Sequence, residues 1–535
     1  MVSFKSRFKM AVMFLCIFMV ISIVSACGKS GEVKNGVTNE EEKSDTGSSS
    51  VEPIAFTMAF SDNPTYPFDE NWLTIKKAQE FANAKVTVEA YPSTDYNNKV
   101  TVALNAGNAP DILLRIDATK NPYTSFALSG SLVPFNKYTE LTPNFNSVVT
   151  KFGLENDIEN CVLADGNMYH LPLVSDKPIY NAGPLIRIDL IEKYNLKIPT
   201  TYDELENVLK VFKEKNPSSY PFTVYMAPNY FYDYSMPSFG LSMGSGSDTG
   251  SYVLSYDREK KQFFAGAISD RFKEYLKYWH RLYSEGLFDP EIMNPSDKWT
   301  TKLATGKSMA TYGWYDQIAG IVGNATEPGM KIDMLPPLKG PYGAYTVSMS
   351  RAIAGIAMPQ TATERADFNR LVQTVDKMFY SPEMIDLFEQ GAKGVTYDIV
   401  DGKVKYKDEY VNSLDGLFKT LQIKFGCGSY NTQMVWIKDN ELLKKDELYT
   451  EINNKVDEMS GVLLMPPTAK FTSDQQEEVA TILPPLRDMF DIWTNAFITG
   501  KKNIDTDWDA YVAEAKSKNI DKLLERYNAA LEQNK

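Results

Sequence analysis

The sequence predicts an α/β fold of two lobes. Segments with alternating apolar residues are mixed along the chain with segments in which apolar residues recur at helical spacing. A sandwich would lack the helical segments, and a bundle would lack the alternating ones. The 535 residues suffice for two or three domains, and the composition is that of a globular protein without internal repeats.

The N-terminal part of this fold is predicted to alternate strands and helices. Apolar residues alternate in 54–60, which predicts a strand, and recur on one helical face in 70–81. A second strand is predicted over 86–91, a second helix over 95–106 and a third strand over 111–114. Such a unit implies a parallel sheet that binds ligands at the carboxyl ends of its strands.

Later elements carry helix-capping patterns. Thr201 and Glu204 have the spacing of a capping box before an amphipathic run, and Thr361 and Glu364 have the same spacing. We therefore expect one helix to begin at each box. The stretch from Ser473 to the C-terminus has an almost wholly helical pattern.

The N-terminus has the pattern of an export signal. Basic residues precede an uncharged segment over 11–24, and small residues precede Cys27, which resembles a bacterial lipobox. Residues 1–26 are therefore predicted to be a lipoprotein signal peptide, and Cys27 to carry a lipid that holds the protein outside the cytoplasm. An ordinary signal peptide or an uncleaved anchor is the alternative. Residues 27–52 lack aromatic side chains and are predicted to be a flexible tether.

Charge and cysteine usage exclude several classes of protein. The net charge is −13 and no basic stripe occurs, which argues against nucleic acid as a partner. Cys161 and Cys427 remain after Cys27, and the sequence leaves open whether they pair. The aspartates of 505–509 lack the glycine and glutamate of a calcium loop, so we interpret them as helix-start caps. We expect no metal and no cofactor.

Six phrases occur in a set order along nearly the whole chain beyond the tether. They lie in Asn105–Ile112, Asp165–Pro172, Arg187–Leu205, Tyr283–Pro290, Gly306–Ala310 and Phe497–Tyr511. Their order behind a lipobox resembles extracellular solute-binding proteins of family 1, in the long lipoprotein branch of ABC-transporter sugar-binding lipoproteins. The resemblance implies two lobes that close over an oligosaccharide and deliver it to the permease of an ABC importer.

The resemblance also implies a division of the chain. The N-terminal lobe is expected to comprise 53–165 and 350–430, and the C-terminal lobe 170–345 and 435–535, joined by hinge crossings. The protein would act as a monomer, anchored by lipid to the outer face of the bacterial cell membrane. Lys393 stands where the branch often has glutamate, so a particular ligand preference is not carried over.

Aromatic residues supply candidate sugar contacts, because a sugar ring offers an apolar face and a polar edge. Aromatics make up 12% of the chain, and 229–234 is a tyrosine-rich segment without helical periodicity. The alternative role of each ring is packing in a core. The candidates are Tyr230, Tyr232, Trp314, Tyr315 and Trp436.

Polar candidates follow the predicted strands and crossings. Asp62 and Asn63 follow the first strand, and Arg115 and Asp117 follow the third; their alternative role is in turns and caps. The remaining two are Tyr169, near the first lobe crossing, and Arg351, near the second. Arg351 would pair with ligand carboxylates; a salt bridge between the lobes is its alternative.

Two other functions compete with sugar transport. A glycosidase or lyase would need paired carboxylates, but 69 acidic residues make candidate pairs uninformative. His170 and His280 are the two histidines, and neither lies in an HExxH pattern; no GxSxG occurs either. The chain is therefore predicted not to be an enzyme. A peptide-binding or sensory protein of the same fold is the other alternative.

Overall fold

The computed structural model describes residues 52–64, 66–178, 182–224, 228–241, 253–291, 299–347, 350–411, 417–429, 431–437, 454, 462–463 and 466–532. The strands are β1 Ile54–Asp62, β2 Ala84–Pro92, β3 Ile112–Ile116, β4 Leu171–Ser175, β5 Ala182–Arg187, β6 Ser255–Asp257, β7 Gln262–Phe264, β8 Ala310–Trp314, β9 Ile332–Met334, β10 Lys339–Gly340, β11 Gly343–Ala344, β12 Thr346–Val347, β13 Ala352–Ala357, β14 Tyr397–Val400, β15 Lys403–Tyr406, β16 Val435–Trp436 and β17 Val462–Leu463. The helices are α1 Leu73–Ala82, α2 Tyr96–Ala106, α3 Tyr123–Leu128, α4 Pro143–Phe152, α5 Glu155–Glu159, α6 Ile188–Lys193, α7 Tyr202–Lys215, α8 Pro228–Ser235, α9 Asp270–Ser284, α10 Trp299–Ala304, α11 Ile318–Gly323, α12 Phe368–Tyr380, α13 Pro382–Gln390, α14 Asp408–Val411, α15 Leu417–Phe425, α16 Ser473–Ile498, α17 Trp508–Ser517 and α18 Ile520–Glu532.

A six-stranded sheet in the order β16-β4-β13-β3-β1-β2 forms the centre of the first lobe. β1 runs parallel to both β2 and β3, so the predicted alternation of parallel strands with α1 and α2 is confirmed. β16 runs parallel to β4. β13 lies antiparallel between β3 and β4, which the sequence pattern does not predict.

The register of this sheet determines where its strands end. β13 pairs Gly355 with Ile116 of β3, and Ile356 with Leu171 of β4, so β4 begins at the level where β3 ends. β4 and β13 continue together for about four more residues, or ~13 Å, beyond that level. At Gly355 a Cβ atom would lie 2.0 Å from the Leu171 carbonyl oxygen, so a larger residue would push the strands apart.

The capping box predicted at Thr201 is confirmed in part. The Thr201 hydroxyl accepts a hydrogen bond from the backbone N–H of Glu204 and caps α7. The Glu204 carboxylate, however, accepts from the backbone N–H and the hydroxyl of Thr200. α7 therefore begins as predicted. The Glu204 carboxylate, however, bonds to Thr200 and not to the backbone N–H of Thr201 that a capping box requires.

The capping box predicted at Thr361 is wrong. Residues Gln360–Glu364 form a short 3-10 helix, and α12 begins only at Phe368. Arg365 is extended between the two, and its guanidinium donates to the carboxylates of Asp111 and Asp367. These tertiary hydrogen bonds interrupt the helix that the local sequence favours.

Two large hydrophobic cores separate the lobes. The first-lobe core lies against the six-stranded sheet and includes residues of α1, α4, α12 and α13. The second-lobe core lies against the sheet β8-β5-β9 and is built mainly by α7, α9 and α16–α18. The C-terminal helices confirm the helical pattern after Ser473. The boundaries that we expect between the lobes stay predictions.

The chain passes between the lobes at three crossings, which join β4 to β5, β12 to β13, and β16 to α16. The backbone N–H of Ser175 donates to the Arg351 carbonyl oxygen at 2.9 Å, so the first two crossings leave the first lobe side by side. In the third crossing, β17 pairs parallel with β12. The second crossing is therefore connected to the first at Arg351 and to the third at β12.

Cys161 and Cys427 are free thiols, each buried in a different hydrophobic cluster of the first lobe. Burial raises the pKa of Cys427 to about 12 and also raises that of Cys161. The structure therefore answers the question of pairing, which the sequence leaves open. Within the described part of the chain, no helix is long and apolar enough to span a bilayer.

Candidate functional site

The carboxyl ends of β1 and β3 bring four predicted residues to one edge of the first-lobe sheet. Asp62 ends β1 and Asn63 follows it, while Arg115 lies in β3 and Asp117 follows that strand. The two strands are parallel neighbours, so these side chains share one edge. Arg115 has a φ of 58°, a left-handed conformation that is uncommon for a residue with a side chain. Such backbone conformations concentrate at functional sites.

The two carboxylates at this edge, those of Asp62 and Asp117, accept hydrogen bonds that stabilise turns. Asp62 accepts a hydrogen bond from a backbone N–H in the turn after β1, at 2.7 Å. Asp117 accepts from the backbone N–H and the hydroxyl of Thr119, and it lies 3.4 Å from the Lys120 ammonium group. Burial works to raise the pKa of Asp117, but Lys120, His170 and Thr119 together hold it below its usual value. Ligand contact by Asp62 or Asp117 stays a prediction.

Tyr169 and Arg351 are both tied into the first lobe. Tyr169 is 5% exposed and donates its hydroxyl to the Asp165 carboxylate at 2.5 Å. Arg351 pairs with Asp157 at 2.5 Å and donates to the Gly153 carbonyl oxygen. Since both of these partners belong to the first lobe, the alternative of a salt bridge between the lobes is wrong for Arg351. It binds the turn between α4 and α5.

A recess opens in the second lobe beside the first two crossings. It is shallow: its empty space of about 370 Å³ includes open solvent at the mouth, and the enclosed part has room for little more than a water molecule. One wall is the start of β5, directly after the first crossing, and another is the segment directly before the second crossing. Tyrosine rings and aliphatic groups line it, so it offers both flat apolar faces and hydroxyl groups to a ligand. The lining includes Ala182, Pro184, Tyr234, Tyr312, Tyr345 and Thr346.

Trp314 ends β8 at this recess. Its indole N–H donates to the hydroxyl of Tyr234 at 3.0 Å, and its ring is half-buried. Tyr315 begins the 3-10 turn after β8, and both rings pack against a small cluster of apolar residues in the second lobe. Because Tyr234 itself lines the recess, its hydrogen bond holds Trp314 at the recess.

The remaining aromatic candidates have different surroundings. Tyr232 is 1% exposed and packs edge-on against Phe490, with the ring centroids 5.7 Å apart, which assigns it to the second-lobe core. The tyrosine-rich segment forms α8 and not a loop, because that core buries its rings. Trp436 is half-buried in β16, and its carbonyl oxygen accepts from the Asp176 N–H at the first crossing. The Tyr230 side chain and Cys27 lie outside the described parts of the chain.

Sequence reasoning named none of the residues that line the recess, which include the tyrosines Tyr234, Tyr312 and Tyr345. The density of tyrosines in α8 is the signal that could have pointed to Tyr234. Tyr345 lies between β11 and β12, where its backbone N–H and carbonyl both bond to the Ser238 hydroxyl, at 3.1 and 3.3 Å. That contact joins residues more than a hundred positions apart, so no local sequence pattern predicts it.

The predicted residues therefore fall into two groups. The strand-end group comprises Asp62, Asn63, Arg115 and Asp117. The crossing group comprises Trp314, Tyr315 and Trp436. Within the first-lobe sheet, Trp436 pairs with Ser175 at the end of β4, ~13 Å along the strands beyond the level where β3 ends.

Comparison with known proteins gives one family and several relatives. The family model of bacterial extracellular solute-binding proteins matches residues 74–368. The polygalacturonan/rhamnogalacturonan-binding protein YtcQ of Bacillus subtilis strain 168 is 24% identical over 347 residues, covering 63% of this chain and 65% of YtcQ. The fructooligosaccharide ABC transporter substrate-binding protein FusA of Streptococcus pneumoniae serotype 4 is 22% identical over 359 residues, covering 62% of each. The chain thus aligns with slightly less than two thirds of either relative.

The fold extends further than these alignments. The crystal structure of the alginate-binding protein AlgQ2 without calcium ion superposes on this chain with a TM-score of 0.71 at 22% identity. The superposition covers 90% of this chain and 98% of AlgQ2. A likeness at this level of identity shows the fold, and it confirms the predicted two-lobe α/β class.

Proposed function

This chain belongs to the bacterial extracellular solute-binding proteins, and from that premise we propose that it is the carbohydrate-binding component of an ABC importer. An oligosaccharide is its proposed ligand. The relatives support this class, since YtcQ is named for pectic polysaccharides and FusA for fructooligosaccharides in ABC transport. One of these names denotes an acidic sugar polymer and the other a neutral one, so the proposal covers both kinds.

The position of the recess is the observation that carries the proposal. Its walls are the second-lobe ends of the first two crossings, and the first-lobe ends of those crossings lie beside Trp436 and Arg351. An oligosaccharide that extends from the recess along these crossings would contact both lobes. Such a ligand favours the closed arrangement by its differential affinity, and the permease would recognise that closed form.

The proposal is binding without turnover. The family consists of binding proteins, and a transport protein has to release its sugar unaltered. Trp314, Tyr315 and Trp436 are proposed to contact the apolar faces of the sugar rings, and Asn63 and Arg115 to contact its polar edges.

A thermal-shift screen of residues 52–535, which form one compact unit, tests the function. The panel contains neutral oligosaccharides, uronic-acid oligomers and short peptides, and each compound is analysed for cleavage afterwards. A ligand that binds only the folded state raises the melting temperature. We expect a shift with an oligosaccharide that is recovered intact. A shift with a cleaved sugar, or with peptides alone, would contradict the proposal.

We further propose that a lipid on Cys27 anchors the protein to the outer face of the cell membrane. The basic residues, the uncharged segment over 11–24 and the small residues before Cys27 support this anchor. The tether over 27–52 would let the two lobes reach the permease as a monomer.

A further inference from the structure

The third crossing contains an extended segment, 466–471, that contacts both lobes; we call it the strap. Ala469 and Phe471 pack against the second-lobe core, and the Phe471 ring meets Tyr527 edge-on with centroids 4.9 Å apart. The backbone N–H of Thr468 donates to the Asn160 side-chain oxygen at 3.3 Å, and Lys470 pairs with Glu159. Side chains of an extended chain point alternately to opposite sides. The strap therefore turns one side to each lobe.

The first-lobe partners of the strap lie at the end of one short helix. Glu159 is the last residue of α5 and Asn160 follows it. The same helix carries Asp157, the carboxylate that pairs with Arg351 of the second crossing. α5 thus presents polar groups to two crossings within four residues.

Arg351 extends this connection to the first crossing. Besides Asp157, its guanidinium donates to the carbonyl oxygen of Asp176, at 3.4 Å. Asp176 in turn donates its backbone N–H to the Trp436 carbonyl oxygen at 3.1 Å. One network of polar contacts around α5 therefore includes residues of all three crossings.

We propose that α5 and the strap form a latch that restrains the angle between the two lobes. The latch comprises Asp157, Glu159 and Asn160 on the first lobe and Arg351, Thr468 and Lys470 on the crossings. Rotation of the lobes about the first two crossings alone would separate Lys470 from Glu159, since the other side of the strap is fixed to the second-lobe core. The latch rests on the proposed function in one respect, which is that it would regulate closure of the lobes over the ligand. The contacts of the latch do not depend on which ligand binds.

The charge environment of the latch fits this role. The Lys470 side chain is 12% exposed although its partner Glu159 is 67% exposed. The Lys470 side chain therefore packs between the lobes, while the pair itself is reached by solvent at Glu159. Opening the lobes at the strap would separate the Lys470 ammonium group from its carboxylate.

Distance measurements between spin labels test the latch without any ligand. The full chain carries Cys16→Ser and Cys27→Ser, and labels are attached at Val102→Cys and Ile492→Cys, which are 66% and 68% exposed on opposite lobes. Cys161 and Cys427 are buried and stay unlabelled. We expect one narrow distance distribution in this background. Glu159→Gln and Lys470→Met should each broaden it or add a second, longer distance.

The control is Lys302→Met, which removes a lysine of similar exposure, 16%, from an ion pair with Asp289 inside the second lobe. It should leave the distance distribution unchanged. The charge-swapped double variant Glu159→Lys with Lys470→Glu should restore the narrow distribution. Glu159→Gln changes an exposed side chain, so it is expected to fold even where Lys470→Met does not.

Two results would overturn the latch. One is an unchanged distribution in Glu159→Gln, and the other is equal broadening in the Lys302→Met control. Sugar binding is measured separately on the same variants, and a weaker latch should change the dissociation constant by the same factor as the population of the closed state. If no sugar binds, the proposed function is wrong. The distance distributions between the spin labels still test the latch in that case.

Discussion

Trp314 combines two properties that a sugar-stacking residue needs. Its ring is half-buried beside the recess, and its N–H is already bonded to Tyr234 at 3.0 Å. A ring that is held in one orientation loses little conformational entropy when a ligand binds. The same hydrogen bond connects Trp314 to α8, whose tyrosine-rich sequence indicated a site although most of the helix is core.

Replacing Trp314 with alanine is expected to weaken oligosaccharide binding by about tenfold or more, which corresponds to ~1.4 kcal/mol or more of lost stacking. Isothermal titration calorimetry measures the dissociation constant, and thermal unfolding measures stability. The melting temperature should change little, because the ring is only half-buried.

The matched control is Trp493→Phe. Trp493 packs against the second-lobe core and donates to Glu514 at 2.8 Å, so its replacement should lower stability and leave the dissociation constant unchanged. A Trp314→Ala variant that unfolds more easily yet binds as tightly would assign Trp314 to packing.

The sequence predicted where the candidate residues lie relative to the strands. It did not predict which residues they contact. Asp62, Asn63, Arg115 and Asp117 do lie at strand ends, because strand periodicity predicts where a strand stops. The partner of Arg351 could not be predicted, since Asp157 lies on a separate helix almost two hundred positions away. Burial of Tyr169 and Tyr232 depends in the same way on neighbours distant in sequence.

At the scale of elements, α16 shows how burial alters a single carboxyl group. Burial and the neighbouring Asp488 raise the pKa of Asp491 to about 6, and Arg487 opposes that rise. A carboxyl whose pKa is higher in the folded chain than in the unfolded chain favours folding below its unfolded pKa. That contribution is lost as pH rises through about 6.

Replacing Asp491 with asparagine should therefore raise the free energy of unfolding at pH 7.5 by ~1 kcal/mol, a value reduced for solvent screening. The difference between variant and parent should become much smaller near pH 4, where the Asp491 carboxyl of the folded chain is protonated. Urea unfolding at pH 4, 5.5 and 7.5 measures it. Glu477→Gln, an exposed change on the same helix, is the control and should show no such trend. An equal effect of Asp491→Asn at all three pH values would contradict the shifted pKa.

Other elements show where local pattern is sufficient. α2 ends at Gly107, which is left-handed with a φ of 68°. The local sequence predicts this end, because glycine favours the left-handed conformation that follows many helices. The sequence of α8, in contrast, lacks helical periodicity. The second-lobe core buries Phe231 and Tyr232 and packs against Tyr234, so it stabilises a helix there without an amphipathic pattern.

At the scale of the whole molecule, the protein consists of two hydrophobic cores joined by three crossings, which is the architecture of a hinged binding protein. Among the described residues the sheets of the two lobes share no strand, so the crossings carry the covalent connection between them. The recess and the latch both lie at these crossings. The proposed ligand site and the proposed latch therefore share the same few segments.

Membrane attachment is a property of the whole chain. We expect Cys27→Ser to move the protein from the membrane fraction to the soluble fraction, because the sulfur that would carry the lipid is gone. Fractionation followed by immunoblotting measures this, and mass spectrometry of the N-terminal peptide shows processing. Cys161→Ser, a change in the first-lobe core, should leave the protein on membranes. A processed Cys27→Ser protein that still sediments with membranes would contradict the lipid anchor.

Local sequence was sufficient for the α/β class, the parallel β1–β3 unit, the C-terminal helices and the start of α7. Each of these depends on periodicity or on a cap formed by residues a few positions apart. Tertiary structure alone decided the antiparallel insertion of β13, the Arg365 contacts that delay α12, the tyrosines that line the recess and the two-sided strap. These features form between segments far apart in the chain, where the energy comes from packing and from hydrogen bonds that no local spacing encodes.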